Sequence, residues 1–201
     1  MAPAHPHVFI DTGVELLVDP EGRLTHVRVT WAYDELYSLL VLEDQRLDND
    51  MDGVLSPGEE ARLKGFDAQW VEDYDGDLVV VGANGKVALS HPIDATATTE
   101  DGRIVTTHLR AVEGAPVRVQ DLSLKAFDPS FYTAYDMTRP VVVTGVNGCE
   151  LTRFEPDIDA ELERMQSFLL TLDADADLEE NDIPMVGENF ATEIRVSCPV
   201  S

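Results

Sequence analysis

Two runs near the start of the chain, residues 7–18 and 24–33, alternate apolar and polar side chains on either side of Pro20-Glu21-Gly22. A period of two sends successive side chains to opposite faces of a pleated strand, so this pattern predicts a β-hairpin with one buried face. The period then lengthens. Residues 34–47 carry Leu36, Leu39, Leu40 and Leu47, and residues 57–74 carry Leu63, Phe66 and Trp70, at the spacing of a helix face. Pro57 suits the first position of the second helix. Strand-like runs resume at 78–81 and 86–89 around Ala83-Asn84-Gly85, a hairpin signal. They continue at 95–98, 104–109, 117–127 and 141–146, broken by turn sequences. Ile158, Leu162, Met165 and Leu169 predict a late helix over 157–172, and residues 190–199 close the chain as a strand. The expected fold class is α+β: antiparallel sheet or sheets, an inserted EF-hand-like helix-loop-helix at about 34–74, and one late helix. No repeat or linker divides the chain, so residues 1–201 read as a single domain.

Between the two helical runs lies DNDMDGVLSPGE, residues 48–59. Asp48, Asp50 and Asp52 occupy positions 1, 3 and 5 of a calcium loop, Gly53 position 6, Ser56 position 9 and Glu59 position 12. A hard cation takes six to eight oxygens, and alternate residues of a tight loop can turn carboxylates inward. Gly53 permits the chain reversal that brings the Val54 carbonyl and a bidentate Glu59 onto the same ion. With 22 Asp and 17 Glu in the chain, chance deserves a figure. This combination arises by composition on the order of once per thousand such chains, so the match is specific. The competing reading is a solvated acidic turn with no ion.

Charge narrows the function classes. Fourteen Lys and Arg against 39 Asp and Glu give a formal net charge of −25, a field that repels nucleic acid and anionic lipid and draws in cations. No basic patch alternates with aromatics, which excludes a nucleic-acid-binding surface. Hydrophobic residues make up 44% of the chain, so it is a globular protein rather than an acidic tail. No apolar run approaches a membrane span, and the chain is not membrane-embedded. There is no nucleophile elbow and no glycine-rich phosphate loop, and carboxylates are too abundant to single out a catalytic pair, so no enzyme is expected.

The N-terminus has no charged and apolar leader, yet Ala2-Pro3-Ala4 has the small-residue shape of a signal-peptidase site with His5 directly after it. This reads as an exported, periplasmic chain whose signal has been removed, with Met1 standing in its place. Cys149 and Cys198 suit export, where an even count favours a disulfide; two buried thiols are the alternative.

Several stretches occur together and in order: HPHVFID at 5–11, TWAYDELYS at 30–38, the acidic loop, FDPSFYTAY at 127–135 and FATEIRVSCP at 190–199. Over nearly the whole chain they resemble a bacterial domain-of-unknown-function family, number 1007, usually described as the periplasmic component of an uncharacterised ABC-type transport system. The resemblance implies export, a bound ion, an association with metal transport and a membrane transporter component as partner. It supplies no known ligand.

His5 and His7 form a second candidate site. A chain processed before His5 would offer an α-amino group and two imidazoles within three residues, a donor set suited to Cu, Ni or Zn. Pro6 removes one backbone N–H, so a further ligand such as His91, His108 or a carboxylate would be needed. Alternatively these histidines simply open the first strand. A second acidic run, LDADADLEEND at 172–182, puts Leu178 where a loop glycine would stand and reads as surface. Phe131, Tyr132 and Tyr135 could line a pocket, though such aromatics are usually core. The sequence therefore supports an exported metal-binding protein with structural Ca²⁺, an accessory or solute-binding component of a metal or solute transport system. The alternative is a calcium-stabilised protein-interaction module with no transported ligand.

Overall fold

A computed structural model describes residues 6–169 and 185–199. The fold is α+β, with two sheets burying a shared core and three helices outside them. The hairpin predicted from the first two runs is its centre. Strands β1 (Val8–Val18) and β2 (Arg23–Tyr33) pair antiparallel from Ile10 opposite Tyr33 to Val18 opposite Leu24. The alternation works as expected, turning Ile10, Val14 and Leu16 of β1 and Val27, Val29 and Trp31 of β2 into the core.

After β2 come α1 (Glu35–Asp44) and α2 (Pro57–Leu63), then β3 (Leu78–Gly82) and β4 (Gly85–Lys86). The chain continues with β5 (Ile93–Glu100), β6 (Arg103–Ala111), β7 (Val117–Arg118), β8 (Asp121–Ala126), β9 (Thr133–Asp136), β10 (Val141–Thr144) and β11 (Glu150–Phe154). It closes with α3 (Ile158–Leu169), a short 3₁₀ turn (Gly187–Phe190) and β12 (Glu193–Ser197). The larger sheet runs β10-β1-β2-β6-β5, with β9 also on β1 and β7 also on β2. The smaller runs β11-β12-β8-β3-β4. All pairings are antiparallel except β9 and β10 on β1, which are parallel. Inner-face residues of the smaller sheet, Val80, Leu122, Leu124, Ile194 and Val196, join the β1–β2 residues in one core.

Cys149 and Cys198 form a disulfide. They sit one step beyond the opposed pair Glu150 and Ser197, so the bridge extends the β11–β12 ladder. No helix among the described residues is long and apolar enough to cross a membrane.

Two expectations need correction. The second helix does not reach Tyr74. It ends at Leu63, because the chain turns at Lys64 (ψ 121°) and passes through Gly65 at φ +75°, a conformation glycine adopts without strain. Phe66 and Trp70 still pack on the core, but from turns. The leucine stripe of α1 also faces the wrong way. Leu36, Leu39 and Leu40 are exposed, while Ser38 and Leu42 are buried. Apolar residues are spread around helix α1 instead of gathered on one side, so spacing alone selects no face. Long-range bonding selects it: the Ser38 Oγ accepts a hydrogen bond from the Ile104 N–H at 2.9 Å. Strands β9 and β11, short and without clear alternation, have no counterpart in the predicted elements.

Candidate metal centre

The loop between α1 and α2 is held from both sides before any ion is considered. Asp34 caps α1, its carboxylate accepting from Tyr37 N at 2.8 Å and from Phe9 N at 2.9 Å, which ties the helix to the start of β1. Arg62 Nη2 of α2 donates to the Gln45 carbonyl at the end of α1 at 2.6 Å. Thr98 Oγ1 of β5 donates to Glu60 at 2.6 Å. Leu47, Leu55 and Leu63 are buried beneath the loop and anchor it to the core.

Within the loop, Asp48, Met51 and Gly53 take positive φ (48°, 55° and 78°). This tight winding turns the alternate aspartates toward one another. One carboxylate oxygen from each of Asp48, Asp50 and Asp52 falls within 4.8 Å of the other two. Two oxygens bound to one Ca²⁺ at 2.3–2.6 Å cannot be more than about 5 Å apart, so these three fit a single ion. The Asp48 carboxylate also accepts from Asp52 N and Gly53 N, both at 3.1 Å, and Asp52 from Val54 N at 2.8 Å. These bonds hold the aspartates in place and leave lone pairs over, since each carboxylate has about four.

Glu59 is not one of the three clustered carboxylates. One oxygen accepts from Asp48 N at 3.0 Å, so the twelfth residue closes on the first. The other accepts from Ser56 N at 2.9 Å and Ser56 Oγ at 2.7 Å, a capping box at the start of α2. The Ser56 hydroxyl, its N–H and the Asp48 N–H hold the Glu59 carboxyl below its ordinary range. Thus Asp48, Asp50 and Asp52 converge, and Ser56 and Glu59 are bonded to each other at the loop's closing edge. Val54, whose carbonyl was the expected backbone ligand, lies between them with its side chain exposed.

The N-terminal candidate is divided by the boundary of the described residues. His5 lies outside them. His7 is exposed, donates its backbone N–H to the Tyr132 carbonyl at 2.8 Å, and sets its ring tilted against that of Tyr132, centroids 5.0 Å apart. His108 is 2% exposed on the inner face of the larger sheet, which removes it as a partner for the exposed His7. The acidic run at 172–182 lies outside the described residues.

Sequence reasoning missed a buried polar layer under the segment that leaves α2. The Asp67 carboxylate accepts from Thr106 Oγ1 at 2.6 Å and Tyr33 OH at 2.9 Å. Asp77 accepts from the hydroxyl of Tyr135. Burial raises the pKa of both carboxyls. Arg110 donates to the carbonyls of Asp75 (2.7 Å), Ser90 (2.8 Å) and Leu89 (3.2 Å) and lies over the Trp70 ring. His108 stands edge-on to Trp31 and Trp70, its Nε2 without a partner. Burial and the nearby Arg110 charge push its pKa down to about 4. These contacts pin the exit arm to the larger sheet. The available signal was weak: Thr106, His108 and Arg110 alternate along β6 on its inner face, a polar stripe where apolar residues belong.

Fold and loop together define a two-sheet α+β protein carrying an acidic helix-loop-helix. The chain belongs to the family described as protein of unknown function DUF1007, which it matches over residues 1–198. No curated protein matches the chain.

Proposed function

We propose that the protein is an exported, periplasmic metal-binding protein in which Ca²⁺ clamps the α1–α2 loop, and that it serves a metal or solute transport system as an accessory or binding component. The observation that carries the calcium reading is the convergence of Asp48, Asp50 and Asp52 within 4.8 Å. Three carboxylates at that spacing repel one another unless a cation sits among them, and oxygen-only donors select a hard ion. The disulfide and the absence of a spanning helix among the described residues support an oxidising compartment outside the membrane core. A single hand in a calcium-supplied compartment needs only the affinities of extracellular modules, roughly 10⁻⁴–10⁻³ M.

Isothermal titration of the full chain with Ca²⁺ tests this directly. One site is expected, and Glu59→Gln should weaken it more than tenfold by removing a charged bidentate ligand. Gln keeps an acceptor for the capping box, so the helix start survives the change. Unchanged affinity in that variant would remove Glu59 from the site, and no calcium uptake by the wild type would end the calcium reading.

The transport role rests on a second ion. A chain beginning at His5 should take up one Cu(II), Ni(II) or Zn(II) at His5 and His7, with uptake falling below about pH 6 as the imidazoles protonate. The His5→Ala, His7→Ala pair should lose that ion and keep calcium. If the pair binds it equally well, the metal-carrier role fails. The calcium-stabilised interaction module then becomes the better account, and the exposed leucines of α1 favour it.

A further inference from the structure

Helix α1 is the entering arm of the hand, and its outward face is apolar. Leu36, Leu39 and Leu40 are 66%, 56% and 54% exposed. Their i, i+3, i+4 spacing makes one continuous ridge across more than a turn. The opposite face is already occupied, with Ser38 and Leu42 buried and Tyr37 and Val41 packed on the core. Helix α1 therefore cannot bury its ridge by rolling inward. Soluble monomers rarely leave a contiguous apolar ridge open without a use for it.

The charge around the ridge states what can cover it. Helix α1 carries Glu35, Glu43 and Asp44 and no Lys or Arg, and Asp34 precedes it. Of the bases at its C-terminal end, Arg62 is already bonded to the Gln45 carbonyl and Arg46 follows the cap. Acids at a helix C-terminus oppose the helix dipole, so Glu43 and Asp44 contribute nothing favourable to α1 itself. A second copy of the chain would bring the same acids and a net charge of −25 against them. An anionic lipid surface has the same sign and is repelled.

We propose that the outer face of α1 docks an amphipathic helix of a partner protein, one whose apolar stripe is flanked by Lys or Arg. The leucine ridge supplies the apolar contact of a helix-on-helix seat, and the surrounding carboxylates select the basic partner. This surface stands whether or not calcium fills the neighbouring loop, because the exposure belongs to α1 alone.

The probe is an 18-residue Leu/Lys peptide with leucines at i, i+3, i+4 and i+7, titrated into the full chain at about 0.15 M salt, where free charges are largely screened. A scrambled peptide of the same composition and a Leu/Glu peptide of the same pattern serve as controls. The patterned Leu/Lys peptide should bind at least tenfold tighter than the scrambled one, and the Leu/Glu peptide should not bind. Leu36→Ser, Leu39→Ser and Leu40→Ser together should lower that affinity at least tenfold. The circular dichroism spectrum should stay that of the folded parent and the melting midpoint should fall by only a few degrees, about what three weaker helix formers cost. Leu151→Ser, an exposed leucine elsewhere, should leave binding intact. Equal binding of the scrambled peptide, or full binding by the triple variant, overturns the proposal. A leucine-dependent dimer in sedimentation, or leucine-dependent binding to anionic vesicles, overturns it too by naming a different occupant.

Discussion

Two neighbouring acid-rich stretches of this molecule use their carboxylates in opposite ways. In the loop at 48–59, Asp50 and Asp52 are exposed, and the donors to the loop's carboxylates come from the loop itself: backbone N–H groups and the Ser56 hydroxyl. In the exit arm that follows α2, Asp67 is half-buried and Asp77 buried, and their hydrogen-bond partners come from distant strands and tyrosines. Carboxylates of the second kind are consumed by the fold. Those of the first kind remain free to bind something from outside. Acid content therefore does not tell a site from a scaffold; the source of the donors does.

The sharpest way to break this comparison is to remove one carboxylate from each stretch. Asp67→Ala leaves the Tyr33 and Thr106 hydroxyls without their acceptor beside the core and should cost about 2–4 kcal/mol in urea unfolding. Asp50→Ala, measured without calcium, should stay within about 0.5 kcal/mol of the parent. Similar losses at both positions would erase the distinction.

A slightly smaller effect is expected from acid. His108 is held neutral in the fold, with its pKa near 4 against about 6.5 in an unfolded chain. Between those values the unfolded state binds more protons, so stability rises with pH across the window and is lost as pH falls through it. The full contribution is on the order of 3 kcal/mol. Asp67 and Asp77 act in the opposite sense, since their raised pKa values let the fold take up protons first on acidification. His108→Phe keeps an aromatic ring against Trp31 and Trp70 and removes the unpaired nitrogen. Its unfolding free energy should fall less steeply from pH 6.5 to 4 than the parent's, and parallel profiles would clear His108 of the role.

Calcium should stabilise the loop by a comparable but smaller amount. At about 100 times its dissociation constant the ion adds ~2.7 kcal/mol, which raises the melting midpoint by roughly 5–10 °C in a chain of this size. Asp50→Ala should lose most of that increment and Asp67→Ala should retain it. Midpoints that are equal with chelator and with saturating calcium would mean that no ion contributes to the fold.

How much of this was legible in the sequence follows the same division between local and distant partners. The β1–β2 hairpin announces itself because alternation is a local property and its turn is local too. The convergence of Asp48, Asp50 and Asp52 is legible for the same reason, since the three alternate within five residues. The exit arm was not: Asp67 finds Tyr33 and Thr106 across 34 and 39 residues, and no local period encodes that meeting. The facing of α1 failed likewise, since Ser38 is fixed by Ile104, 66 residues away. Leu63, Phe66 and Trp70 keep helical spacing across Gly65, and the left-handed backbone at that glycine ends the helix.

The Cys149–Cys198 bridge joins residues 49 apart in sequence and closes a ring of chain containing β11, α3 and the whole of β12. A protease that cuts this ring once severs a peptide bond without releasing a fragment. Strand β12, which contributes Ile194 and Val196 to the core, stays tethered beside its neighbours and re-pairs faster than it can diffuse away. A nicked molecule should thus run as a single species on a non-reducing gel and separate into two only after reduction. The bond makes the C-terminal quarter of the protein tolerant of a single cut.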